Sequence, residues 1–220
     1  MIQDNLHPVE DKILAACERS GRKPEDVTLI AVSKTKPMEM IAELFAIGKR
    51  EFGENKAQEM KEKCDSLPSN IEWHFIGHLQ TNKVKYVVGR AAMIHSIDSL
   101  HLAEAVNREC EKKGCDVSVL VEVNVAGEDS KFGVKPEETE DLIREIAKLP
   151  HVHVCGLMTI APFVENPEEN RWIFRDLHKL SVDISGKNID NIDMNVLSMW
   201  MTNDYEVAVE EGATHVRVGT

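Results

Sequence analysis

Eight short apolar runs, each followed by a stretch of helical character, constrain this chain more than any other feature. The runs lie at 27–32 (VTLIAV), 50–53 (REFG), 71–77 (IEWHFIG), 91–97 (AAMIHSI), 116–125 (DVSVLVEVNV), 151–160 (HVHVCGLMTI), 193–199 (DMNVLSM) and 214–220 (THVRVGT). Helices are expected at 37–48, 54–66, 80–88, 99–113, 136–149, 168–182 and 204–211, with one more at 5–20 ahead of the first strand. Pro37 suits a first helical position, and Gly114 marks a helix end. An uncharged, β-branched run such as 27–32 is the pattern of a strand covered on both faces, as in a parallel sheet flanked by helices. Strands alternating with helices specify an α/β fold with a parallel sheet. Eight repeats in 220 residues fit the short end of a closed (β/α)8 TIM barrel, with an extra N-terminal helix. The alternative is a doubly wound open sheet. That fold usually carries a glycine fingerprint after its first strand, and SKTKP is not one. No composition shift, repeat or low-complexity linker divides residues 1–220, which read as a single domain.

Composition removes several function classes. The formal charge of −12 and a pI near 5.2 argue against a nucleic-acid binder, which needs a net basic face. Lys56, Lys61 and Lys63 sit among acidic residues and read as a solvated helix face. Five cysteines in spacings that match neither a disulfide framework nor a zinc site are expected to be reduced thiols of a cytoplasmic protein. The polar N-terminus is not a signal peptide, and no apolar run approaches membrane-spanning length. No apolar stripe beyond the needs of the core demands a dimer, so a monomer is expected.

Barrel enzymes carry their chemistry at the carboxyl ends of the strands. Those ends hold Ser33 and Lys34; Gly53, Glu54 and Asn55; Gly77 and His78; Ser96 and Asp98; Asn124; Met158 and Thr159; Ser198 and Met199; and Arg217, Gly219 and Thr220. Lys34 stands out because it ends a fully apolar strand. Either it has left the core for water, or it sits at the barrel mouth as a carbonyl nucleophile. The loops after the last two strands are the usual phosphate cradle, and they contain Ser198, Thr202, Gly219 and Thr220. Thr202 and Asn203 can equally cap the next helix. Arg217 shares the parity of Gly219 and so points into the barrel, where it needs an acceptor. An imine-forming amine facing a phosphate cradle suits pyridoxal 5′-phosphate, which carries an aldehyde and a phosphate on one ring. Arg217 is then placed to donate to the ring nitrogen, or else to pair with a carboxylate.

The chain also resembles the pyridoxal phosphate homeostasis protein family, itself similar to the N-terminal barrel of alanine racemase. The resemblance spans nearly the whole chain. It is carried by AVSKTKP (31–37), FGENKAQE (52–59), WHFIGHLQTNK (73–83), VNVAGEDSKFG (123–133), GLMTI (156–160) and LSMWMTNDYEVAVEEGATHVRVGT (197–220). It implies a pyridoxal 5′-phosphate Schiff base on Lys34, with Ser198, Arg217, Gly219 and Thr220 around the cofactor. Asn55, His78, Met158 and Met199 lie at the same mouth. Two departures stand out. The family reads SMGMS where this chain reads SMWMT, so Trp200 replaces a glycine. The family also continues past RxGT into a last helix that is not present in this sequence. The resemblance implies intracellular cofactor homeostasis without turnover, with apo-enzymes that need the cofactor as partners. An amino-acid racemase is the alternative. It needs a base opposite Lys34, and Tyr86 and Tyr205 are both expected in helices. A sugar-phosphate barrel using Lys34 as an aldolase-type amine is a third reading.

Overall fold

β1 (Thr28–Val32) pairs in parallel with β2 (Glu51–Glu54) on one side and with β8 (His215–Gly219) on the other. The sheet therefore closes, and the strand order is β1 through β8 around the ring. Between them run β3 (Glu72–Phe75), β4 (Ala91–Ile97), β5 (Val117–Glu122), β6 (Val152–Ile160) and β7 (Ile192–Trp200). This computed structural model describes residues 2–200 and 203–219. The closed parallel barrel expected from the alternation is the fold found.

The helices are α1 (Ile2–Ser20), α2 (Met38–Ala46), α3 (Ala57–Ser66), α4 (Val84–Val87), α5 (Leu100–Lys113), α6 (Pro136–Ile146), α7 (Arg171–Ser185) and α8 (Tyr205–Glu210). The Ser99 hydroxyl accepts from Leu102 N at the start of α5, and Gly114 ends it in the left-handed conformation at φ 63°. Pro37 precedes the first residue of α2 as its N-cap. The second crossover helix starts at Ala57, because Glu54 stays in β2. The expected 80–88 helix is a 3-10 turn followed by the single turn of α4. α1 packs against both α2 and α8. Arg19 of α1 pairs with Glu206 and Glu210 of α8, and Arg22 donates to the Val209 and Ala213 carbonyls.

Strand alternation sorts the side chains into two layers. Phe52, Trp73, Phe75, Ile94, Val119, Val121, Leu157, Met199 and Val216 join the large hydrophobic cluster shared with the helices. Ile30, Val32, Ile76, Leu120 and Met158 are just as buried but lie outside that cluster, in the lumen. They share it with buried polar residues: His74, His95, Glu122, Ser198 and Arg217. A parallel barrel normally fills its interior with branched apolar side chains. A polar lumen near the carboxyl ends is therefore a departure that needs a cause. Among the described residues, no helix is long and apolar enough to cross a membrane, and the five cysteines are free thiols.

Candidate functional site

Lys34 follows β1 in a turn held from both sides. Ser33 Oγ donates to Glu54 Oε1 at 2.7 Å, and Lys63 Nζ donates to the Ser33 carbonyl at 2.7 Å. Lys63 also pairs with Glu54 at 2.6 Å and with Glu59 at 2.8 Å. Glu59 in turn accepts from the Thr35 amide at 2.7 Å. Thr35 takes a left-handed φ of 62°, a conformation costly for a β-branched residue unless its surroundings fix it. Glu54 is fully buried, and its desolvation raises the carboxyl pKa despite the hydrogen bonds from Lys63 and Ser33. Lys63 is buried as well. This corrects the expectation of a solvated face: Lys56 is exposed, but Lys63 is the core of a clamp.

The Lys34 side chain turns to the barrel mouth. Its Nζ lies 5.8 Å from the centroid of the Trp200 ring, and Arg217 Cζ lies 4.9 Å from the same ring. Arg217 has no exposed surface. Its Nη1 donates to the Ile76 carbonyl at 3.4 Å, while Nε and Nη2 have no partner among the described residues. Burial lowers the guanidinium to about 10, with Glu122 opposing the shift, so it stays charged at neutral pH. Glu122, at the end of β5, is raised to about 7 by desolvation and by Asp98, against the pull of Arg217.

Asn55 and His78 meet on the neighbouring rim, lining one cavity with Phe75, Leu79 and Lys83. Asn55 Oδ1 is buried without a partner among the described residues. Gly77 is required here, because a Cβ on it would collide with the Asn55 backbone. The His78 ring stacks on Phe132, centroids 3.7 Å apart and 8° from parallel. Phe132 belongs to the loop after β5. That loop folds back so that Asn124 N donates to the Val134 carbonyl and Val134 N to the Glu122 carbonyl. Burial raises the Asp98 carboxyl, opposed by His78 and by the Gly133 amide.

Ser198 lies one lumen layer below Trp200. His95 Nδ1 is 3.0 Å from its Oγ, and His95 Nε2 is 2.9 Å from His74 Nδ1. Only one tautomer chain leaves no N–H orphaned: His74 donates to His95, and His95 donates to Ser198. In that chain the hydroxyl hydrogen of Ser198 remains available to another acceptor. Met158 is buried in the lumen. Met199 has the opposite parity and enters the helix-facing cluster, so only its backbone can approach a ligand. Gly219 borders open space, since a Cβ on it would meet only Val32, at 3.7 Å. Thr220 and Thr202 lie outside the described residues. Lys34 and Arg217 thus come together around Trp200, and Asn55 and His78 pair on the rim. The Glu54–Lys63 clamp and the roles of Glu122 and His95 are additions to the sequence reading. A polar residue at lumen parity in an apolar strand was the available signal for Glu122 and His95.

A family model described as the alanine racemase N-terminal domain matches residues 7–220. The chain belongs to this family. It is 45% identical over 218 residues to the pyridoxal phosphate homeostasis protein of Aquifex aeolicus, covering 99% of this chain and 95% of that relative. It is 38% identical over 224 residues to the protein of the same name in Escherichia coli, covering 100% and 94%. Among solved structures, PipY of Synechococcus elongatus with PLP bound superposes with a TM-score of 0.81 at 32% identity, over 96% of this chain and 97% of that one. An unknown protein from Bifidobacterium adolescentis superposes with a TM-score of 0.92 at 36% identity, over 99% and 92%. Alanine racemase from Clostridium difficile shares the fold at a TM-score of 0.77 and 16% identity, over 98% of this chain and 55% of that one.

Proposed function

We propose that this family member binds pyridoxal 5′-phosphate through Lys34 at the barrel mouth and serves intracellular cofactor homeostasis, without turnover of its own. The observation that carries the reading is Arg217: a fully buried guanidinium with two donors unpartnered among the described residues, against the same indole ring as a lysine amine. Buried charge without an acceptor is costly, and a pyridine nitrogen is an acceptor of the right kind and place. The names of the full-length relatives and the PLP-bound state of PipY support the same ligand. When bound, the cofactor supplies an aldehyde and a conjugated, electron-withdrawing ring. Lys34 supplies the amine that receives the aldehyde carbon, and its backbone is fixed by the Ser33–Glu54–Lys63 clamp. Arg217 donates to the ring nitrogen. Ser198, with its free hydroxyl hydrogen, and Gly219, with its open approach, belong to the phosphate side, together with Thr220. Asn55 and His78 border the rim, Met158 floors the lumen, and Met199 contributes backbone only. The protein acts in the cytoplasm as a monomer, and apo-enzymes that need the cofactor are its partners.

Racemase turnover requires a second base opposite Lys34. Tyr86 sits in α4, and Tyr205 is buried in the helix layer at the start of α8, so neither serves. The test is an absorbance titration of the purified protein with pyridoxal phosphate, followed by borohydride fixation and peptide mapping. Wild type should gain a visible band and a fixed adduct at Lys34, and Lys34→Ala should lose both. An adduct that persists at full yield in Lys34→Ala refutes the assignment. Racemisation across a panel of amino acids should not exceed that of free cofactor.

A further inference from the structure

The Trp200 ring lies against both the Lys34 amine and the Arg217 guanidinium, 5.8 Å from one and 4.9 Å from the other, measured to the ring centroid. A ligand ring joined to the first group and accepting from the second must occupy space beside both, and the indole already occupies space beside both. We propose that Trp200 is an internal competitor for the ligand's ring site, so that binding is an exchange in which the indole leaves and the pyridine ring takes its place. This rests on the ligand reading above and adds a residue that sets its affinity and rate of entry.

The ring-in state has the features of a temporary occupant. Two cations within about 6 Å of one aromatic ring are attracted by its quadrupole, which offsets in part the burial of the guanidinium. Yet three buried donors have no partner among the described residues: Arg217 Nε, Arg217 Nη2 and Trp200 Nε1. An indole N–H buried for good normally finds an acceptor, and each orphaned donor carries a desolvation cost. Exchange relieves two of the three, since the single lone pair of a ring nitrogen gives Arg217 one acceptor and the displaced indole N–H returns to water. A ligand without an acceptor opposite Arg217 cannot offer that gain, so the plug also selects for heteroaromatic aldehydes over plain aromatic ones. Because only the ring-out fraction is competent to bind, the apparent dissociation constant is raised by the inverse of that fraction. At high ligand concentration, entry is limited by ring departure rather than by encounter.

The experiment compares wild type, Trp200→Gly and Trp200→Phe, the last keeping a smaller ring in case the glycine variant fails to fold. Stopped-flow absorbance with pyridoxal phosphate should give a wild-type rate that saturates with ligand concentration. The Trp200→Gly rate should stay linear and its affinity should be about tenfold tighter, the factor set by a ring-out population near one in ten. Trp200→Phe should fall between the two. A second arm needs no cofactor. Phenylglyoxal labelling followed by peptide mapping should leave Arg217 protected in wild type and modified in Trp200→Gly. Equal labelling of Arg217 in both proteins, or equal affinity together with a linear wild-type rate, overturns the proposal. If neither protein captures pyridoxal phosphate, the ligand reading fails, and the labelling arm alone decides whether the indole covers Arg217.

Discussion

Lys63 shows how much of the site depends on a residue that never touches the ligand. Its ammonium is buried and makes three short contacts, to Glu54, Glu59 and the Ser33 carbonyl. Removing one member of a buried ion pair leaves the other charge uncompensated, which typically costs about 3–5 kcal/mol, whereas replacing both members by apolar or neutral groups costs far less. Lys63→Met should therefore destabilise the protein by roughly that amount, read as a lower urea midpoint at unchanged m-value. Adding Glu54→Gln to Lys63→Met should recover a large part of the loss. A single-variant cost within about 0.5 kcal/mol, the usual range for surface substitutions, would show that the pair does not hold the Lys34 turn. The side-chain pattern explains why this clamp was hidden in the sequence. Lys56, Lys61 and Lys63 look alike in a polar helix, and only the inward face of α3 distinguishes the third. Lys34 was legible because a charged residue ending an apolar strand has few places to go.

Two glycines separate what the strands require from what the site requires. A Cβ on Gly156 in β6 would collide with the backbone of Val196 in β7, beside the register shift between these strands. Backbone cannot yield as a side-chain tip does, so Gly156→Ala should cost at least the roughly 1–3 kcal/mol of ordinary overpacking. A Cβ on Gly219 would meet only Val32, at ordinary van der Waals distance. Gly219→Ala should leave the thermal midpoint unchanged while weakening cofactor affinity, because the added methyl takes space that only a ligand would use. A fall in stability equal to that of Gly156→Ala would mean that Gly219 serves packing alone. The strands themselves were readable as apolar runs set between helical stretches, which is why their ends agree with expectation to within a few residues. The start of α3 was not, because Glu54 is polar and reads as helix until its Ser33 and Lys63 partners are known. The parity of Met199 was readable, since Ser198 and Trp200 face the lumen and the residue between them must face the helices.

Across the whole barrel, the polar lumen makes stability depend on pH in a direction that can be derived. Burial holds His74 at about 3 and His215 at about 4, and depresses His95 well below its ordinary value. A depressed histidine contributes stability that is fully present above its unfolded pKa, near 6.5, and is lost as pH falls toward its folded value. Glu122 acts oppositely. Raised to about 7 by desolvation, it contributes stability present below its unfolded pKa, near 4.5, and lost as pH rises through 7. Between pH 6.5 and 4.5 the unfolded chain holds a proton on each of the three histidines that the folded chain lacks. The folded chain keeps the one proton on Glu122 that the unfolded chain has released. Counted over these four groups, the excess is about two protons on the unfolded side, and each is worth about 1.4 kcal/mol per pH unit. Stability should thus fall steeply as pH drops from 6.5 to 5, before most carboxylates titrate. Glu122→Gln removes the opposing proton, so its slope should be steeper than wild type by about half. Urea denaturation at pH 7.5, 6 and 5 measures both slopes. A wild-type profile that stays flat over this range would mean that the lumen histidines accept protons within the fold, and that the barrel interior is wetter than its burial indicates.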